Sequence, residues 1–313
     1  MKLKNEGLVV FQVVLFAIIL FFGTLFNSFA IWVFFFKIKK WTETRVFMMT
    51  LLFSDCCLLI TIPFRIYAAL KTWDLPDELC KFLSFAYFMN TYLSIAIITL
   101  ISVDRFIAIR FPFKARSLRS PKKAAMACVV VFILLLSTRI YIWIETLPDS
   151  SNITSPGVCF RKTSARPLKR SLYFTILGFF IPLPIILLCS IKVIRYLKKK
   201  GTVSVYEDKC IQKSINIVSA NLVIFLFCFL PLHIGNILRF VMESIRTVNK
   251  IDCSVIRTIN DYVYATQVIG DLNCCLDSVC YYFVAKEFWE STSILPKSNQ
   301  FLPFREPTEQ SNV

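Results

Sequence analysis

Seven long apolar runs separated by short polar stretches set the pattern of this chain: roughly 8–36, 46–70, 82–109, 124–147, 171–197, 211–242 and 255–284. Each exceeds the approximately 20 residues that a helix needs to cross a hydrocarbon core. Backbone amides have no water to bond inside lipid, so runs of this kind are satisfied only as helices. The pattern predicts an all-α membrane protein, a seven-transmembrane helix bundle. Lys2 and Lys4 precede the first run as they would in a signal peptide. The run is too long for an h-region of about 7–15 residues and no small-x-small site follows, so it is expected to stay as a helix. Pro63, Pro182, Pro184 and Pro231 fall inside runs, where neighbouring helices must compensate the lost hydrogen bonds. After the seventh run, Ala285-Lys-Glu-Phe-Trp-Glu-Ser291 fits a short amphipathic eighth helix lying on the membrane surface. Residues 1–290 thus form the membrane domain, and 291–313 read as a disordered polar tail.

Composition strengthens this picture. A hydrophobic content of 56% is more than a water-soluble chain of 313 residues can hide, which overrules a two-domain soluble protein. The net charge of +16 could suggest nucleic acid, but the cations sit in short clusters between apolar runs and match loop bias and anionic lipid headgroups. Lys37, Lys39, Lys40 and Arg45 follow the first run; Arg110, Lys114, Arg116, Arg119, Lys122 and Lys123 follow the third; Lys192, Arg195, Lys198, Lys199, Lys200, Lys209 and Lys213 surround the gap after the fifth. These connections are read as cytoplasmic, with the N-terminus outside and the C-terminus inside. The 148–170 connection is also basic and is the exception, but its Asn152-Ile-Thr154 sequon agrees with an outer position. Most of the 12 cysteines fall within apolar runs as small hydrophobes, and with one histidine a metal cluster is not expected. Cys253 has no evident mate.

The motifs then narrow the class. Asp104-Arg105-Phe106 ends the third run, Gly23-Thr-Leu-Phe-Asn27 lies in the first, and Leu51-Leu-Phe-Ser-Asp55 in the second. Pro182 lies in the fifth, Cys228-Phe-Leu-Pro231 in the sixth, and Asn273-Cys-Cys-Leu-Asp-Ser-Val-Cys-Tyr281 in the seventh. In this order and at these depths they resemble rhodopsin-like (class A) G-protein-coupled receptors. Phe106 replaces the usual Tyr, Phe229 the usual Trp and Ser278 the usual Pro. Trp41-Thr-Glu-Thr-Arg45, Ala115-Arg-Ser-Leu-Arg-Ser-Pro121 and Cys280-Tyr-Tyr-Phe-Val-Ala-Lys-Glu-Phe288 are similar to the branch of receptors linked to kynurenic acid and to lysophosphatidylinositol. Thr91 and Phe132 depart from that branch, so ligand identity does not carry over. The resemblance implies a plasma-membrane, multi-pass receptor that activates heterotrimeric G proteins, recruits arrestin through tail phosphorylation sites (Ser291, Thr292, Ser293, Ser298, Thr308 and Ser311), and is not an enzyme. It also implies a disulfide from Cys80 to Cys159.

Four groups of residues carry candidate chemistry. Asp55, Asn90, Ser94, Asn273 and Asp277 put carboxylates and oxygen-bearing side chains at mid-span, where ionisable groups pair or serve function. In the resembled family such a set holds an allosteric sodium ion; a structural hydrogen-bond network is the alternative. Arg105 either snorkels or, by the resemblance, alternates between an ion pair with Asp104 and a G-protein contact, with Phe106, Phe229 and Tyr281 as further switch positions. Ile95, Pro182 and Phe225 resemble the family's packing switch, or are plain core. Arg65, Arg139, Arg161, Arg239 and Arg257 gather at the outer end, where guanidinium forks suit a small anionic ligand, an organic acid or lysophospholipid, with Tyr87, Phe88, Thr91 and His233 nearby. A peptide receptor is the rival within the class. A membrane transporter is the rival outside it, opposed by the lack of an internal repeat. A retinal protein would need a lysine in the seventh run, and none lies between Lys250 and Lys286.

Overall fold

The computed structural model describes residues 5–37, 41–111, 113, 115, 117, 119–146, 157–162, 167, 169–199, 205–246 and 252–278. Helix α1 spans Glu6–Trp32 and continues through a π turn at Val33–Lys37. The Asn5 side chain caps it by accepting from the Leu8 amide at 3.4 Å. Its buried residues Leu8, Gln12, Phe16, Ile19, Gly23, Asn27 and Ala30 recur every three or four positions, which makes a single inward stripe. Arg45 closes the far end: its guanidinium donates to the Phe34 carbonyl at 2.6 Å and lies over the Trp41 ring.

Helix α2 spans Glu43–Leu70, capped by Thr42, and α3 spans Asp77–Arg110. Acids in the first turn and Arg110 in the last suit the α3 dipole. Helix α4, Pro121–Thr146, begins with proline at its first position, and Ser120 Oγ accepts from the Lys123 amide. Helix α5 comprises Lys169–Thr175, a π turn at Ile176–Phe180, and Pro182–Lys199. Pro182 offers no amide, and the Ile181 amide reaches back to Ile176. The wider turn seats Gly178 against Tyr92 of α3, where an added Cβ would meet the ring at 2.5 Å. Helix α6, Val205–Arg246, contains Pro231; α7, Cys253–Asp271, is interrupted at Leu272 and resumes at 273–278.

The neighbours α1–α2, α2–α3, α2–α4, α3–α4, α3–α5, α5–α6, α6–α7 and α7–α1 close a ring around α3, the seven-helix bundle that the apolar pattern predicts. Six described helices are long and apolar enough to cross a bilayer; α7 is the more polar one, and 279–284 of its predicted span lie outside the described residues. The other runs were placed within a few residues of their helices, with one correction. Lys192, Arg195, Lys198 and Lys199 sit in α5 and Lys209 and Lys213 in α6, because helices continue past the hydrocarbon into water where lysine is a good helix former. The eighth helix, the 291–313 tail with its phosphorylation sites, Asn152 and Tyr281 lie outside the described residues.

Candidate functional site

A cavity of about 410 Å³ opens at the Cys80 end of the bundle, walled by α1, α2, α3, α5, α7 and the 158–161 strand of chain between α4 and α5. That volume is in the range of small-ligand sites. The covering segment is fastened at several points. Cys80 and Cys159 form the expected disulfide, with Cα atoms 5.8 Å apart. The Trp73 amide donates to the Gly157 carbonyl at 2.9 Å, and Gly157 has φ 82°, a conformation that disfavours a side chain. The Lys162 amide donates to Tyr264 Oη of α7 at 2.8 Å, and the Lys162 ammonium pairs with Glu243 of α6. Burial pulls the Lys162 ammonium below its ordinary range, and the Glu243 carboxylate opposes that shift. Glu243 is a partner that the sequence reading missed.

Of the residues expected around an anionic ligand, Arg65, Tyr87, Phe88 and Arg161 line this cavity. Arg65 is buried, its guanidinium lies 4.5 Å from the centroids of both Phe16 and Tyr87, and it donates to Asp271 Oδ2 at 2.5 Å. Asp271 was not singled out from the sequence. A carboxylate in an apolar run six residues before Asp277 was the available signal, and its depth matches that of Arg65. Arg161 donates to Gln12 Oε1 at 3.4 Å and lies over the Tyr264 ring at 5.4 Å. Among the described residues no aspartate or glutamate lines the cavity.

The other expected contacts are placed elsewhere. Thr91 turns its hydroxyl onto the Tyr87 carbonyl of its own helix, since a threonine on a helix bonds one turn back. Arg239 donates to Asn236 at 2.9 Å and stands outside the lining, though its charge reaches Lys162. Arg257 is exposed on the first turns of α7, and the Arg139 side chain lies outside the described ones. His233 is buried below the cavity, its ring stacked on Phe179 at 4.1 Å and its Nδ1 2.7 Å from the Phe229 carbonyl. Of the five outer arginines, Arg65 and Arg161 reach the cavity, whereas Arg239 turns to Asn236 and Arg257 faces out.

Deeper, the mid-span cluster is assembled. Asn90 Nδ2 donates to Asp55 Oδ1 at 3.2 Å and to Ser54 Oγ at 3.1 Å, and Asn273 Nδ2 donates to Asp277 Oδ2 at 2.7 Å. Asn27 ties α1 to the Cys274 carbonyl of α7 at 3.1 Å. Asp55 Oδ2, Ser94 Oγ and Asn273 Oδ1 are buried with no partner among the described residues. Beside this cluster, Ile95, Phe225 and Phe229 join one apolar core with Phe179 and Ile186; Pro182 is half-buried, and Phe179, stacked between Phe225 and His233, was missed.

At the Arg105 end, Asp104 is held by Arg119 through two bonds of 2.7 and 3.0 Å, and Arg119 also approaches Glu43 at 3.4 Å. In this structure the ion-pair partner of Asp104 among the described residues is Arg119 rather than Arg105. Consecutive helical residues do not face each other, whereas Arg119 arrives from the following connection with its fork on the Asp104 face. Arg105 borders a small crevice with Ser190 of α5 and Asn221 of α6. Phe106 joins Val193, Leu197, Ile211 and Ile215 in an apolar seal across α3, α5 and α6.

The comparisons agree with this architecture. Residues 26–281 match the family model described as "7 transmembrane receptor (rhodopsin family)". The human G-protein coupled receptor 35 is 39% identical over 277 residues, covering 88% of this chain and 84% of the relative. The chicken lysophosphatidic acid receptor 6 is 35% identical over 91% of this chain and 92% of its own length, and the human lysophosphatidic acid receptor 4 is 32% identical over 88% and 75%. A bundle of apolar helices, a disulfide-fastened cover and a family match across nearly all of it have one meaning: the chain belongs to the rhodopsin family of seven-transmembrane receptors, and is a multi-pass membrane receptor rather than an enzyme.

Proposed function

We propose that this receptor stands in the plasma membrane with its Cys80 end outside, binds a small ligand carrying an anionic head and an apolar body, and activates heterotrimeric G proteins at its Arg105 end. The observation that carries the reading is the cavity wall: Arg65 and Arg161 among Tyr87, Phe88, Tyr92 and Phe174, with no acidic side chain among the described lining residues. Guanidinium groups suit carboxylate, sulfate or phosphate, and the rings suit an aromatic or acyl body. A volume of about 410 Å³ suits a small molecule better than a peptide. Two of the relatives are named as receptors for lysophosphatidic acid, an anionic lipid.

The ligand acts by population shift, favouring an arrangement in which the Phe106–Ile211 seal opens and α6 leaves α3. Tail phosphorylation would then recruit arrestin. The mid-span cluster fits a sodium ion as an allosteric partner. Asp55 Oδ2, Ser94 Oγ and Asn273 Oδ1 are hard oxygen donors lacking a partner, beside two carboxylates with no cation of their own among the described residues. Asp55 and Asp277 would hold the ion.

The experiment is nucleotide exchange on Gα by the chain reconstituted in lipid, across organic acids and lysophospholipids. At least one acid should stimulate exchange, with potency lowered about tenfold or more by Arg161→Gln. Stimulation by no acid, or potency indifferent to Arg161, overturns the reading.

A further inference from the structure

The Arg65–Asp271 pair is out of place in a site built for an anion, since the receptor already holds a carboxylate against the cation that its ligand would use. Arg65 lines the cavity, while Asp271 does not and sits behind it on α7. Both side chains are buried, at 6% and 3% exposure, and the Phe16 and Tyr87 rings hold the guanidinium between them. The contact joins α2 to α7 at the last residue before α7 breaks at Leu272. One nitrogen of the fork, Nη1, is engaged by Asp271, and the cavity side of the same group is where a ligand arrives.

We infer that Asp271 is an internal counter-anion and the specificity-determining residue of the site: the acidic head of the ligand exchanges with the Asp271 carboxylate on Arg65, and the exchange unties α2 from α7. This rests on the anion-site reading above. Two carboxylates brought to one guanidinium repel, so Asp271 weakens every acid in proportion to its charge at the Arg65 position and leaves a neutral analogue untouched. The selectivity is therefore set by difference. Only acids whose apolar body fills the aromatic wall bind tightly enough to displace Asp271. Freed at the α7 break, the Asp271 segment leads directly into Asn273 and Asp277 of the mid-span cluster, which gives the event a route inward.

The test uses the full-length receptor in lipid with 1-oleoyl-lysophosphatidate and 2-naphthoate as acids and 1-oleoylglycerol as the uncharged control. Asp271→Asn keeps the shape and removes the charge. At matched surface expression it should raise the potency of an active acid about tenfold, leave the uncharged control unchanged, and raise basal nucleotide exchange. Should Asp271→Asn fail to reach the surface, the charge-exchanged variant Arg65→Asp/Asp271→Arg restores the tie. Its basal exchange should fall below that of Arg65→Gln, and its acid potency should be at least tenfold weaker than wild type, because a carboxylate then lines the cavity. Acid potency that depends on Arg161 but is unchanged or lowered by Asp271→Asn sinks the exchange alone, as does basal exchange in the charge-exchanged variant no lower than in Arg65→Gln. Potency untouched by Arg161→Gln sinks the anion site itself, and silence of both acids on every variant removes both.

Discussion

Two buried carboxylates on α7, six residues apart, solve the same problem in opposite ways. Asp271 has a cation built into the fold, Arg65 at 2.5 Å. Among the described residues Asp277 is held by the Asn273 amide at 2.7 Å, and the other carboxylate of its cluster, Asp55, is likewise held by an amide, that of Asn90. A buried charge is costly unless paired, so the first site is complete as folded and the second is complete only when a cation or proton arrives. On the readings proposed above, the difference separates a contact that would tune the ligand from a cluster that would take up a cation.

The comparison breaks most severely at Arg65. Arg65→Gln strands Asp271 in the bundle, and removing one partner of a buried pair costs about 3–5 kcal/mol. Thermal unfolding of the purified receptor should report that loss, and Arg65→Gln/Asp271→Asn should regain most of it. A double variant as unstable as the single one would mean that Arg65 is held by its rings rather than by its charge.

Sodium sharpens the contrast at the second site. A saturating salt step should stabilise the wild type by about 1–3 kcal/mol, the range that linkage gives for an ion well above its dissociation constant. Asp55→Asn should abolish this increment, compared at constant ionic strength with choline as the replacement cation. Arg65→Gln/Asp271→Asn should retain it, because its carboxylate already had a partner. Equal sodium stabilisation in all three would place the ion elsewhere.

The fold was legible because lipid imposes one pattern: seven apolar runs above the crossing length, with cations clustered between them, and the structure follows it to within a few residues. The mid-span residues were legible because a carboxylate in an apolar run is rare enough to be noticed. The same rule applied to Asp271 and was not used there, and Arg65 was read without its partner. Pairings across helices were the illegible part. Arg119 with Asp104, Lys162 with Glu243 and Phe179 with His233 depend on which faces meet, and face is a property of packing rather than of spacing along one helix. The outer arginines divide for that reason: Arg65 and Arg161 share the cavity lining while Arg257 faces out, because a shared depth does not make a shared face.

Asn90 offers a smaller effect within the second site. Its amide serves Ser54 and Asp55 together, so Asn90→Ala removes two donors from a buried carboxylate and hydroxyl, a loss of about 1–3 kcal/mol. Added sodium should recover part of that loss, since the ion supplies positive charge to the same oxygens. Recovery measured by thermal unfolding would distinguish an electrostatic loss from a packing one, which salt leaves unchanged.

Asp104 is the limiting case, a paired carboxylate near the membrane edge instead of in its middle. Its partner Arg119 is 27% exposed and comes from a connecting segment, so water screens the pair, and Arg119→Gln should lower stability by no more than about 1 kcal/mol. The functional consequence should exceed that figure. The pair ties the α3–α4 connection to α3 one residue from Arg105, and loosening it changes the surface offered to a G protein without removing any apolar contact of the Phe106 seal. Basal nucleotide exchange by Arg119→Gln should therefore move by more than its melting temperature predicts, whereas Arg65→Gln moves stability first. If both variants altered exchange only in proportion to the stability they lose, the two ends of the bundle would differ in burial alone and not in role.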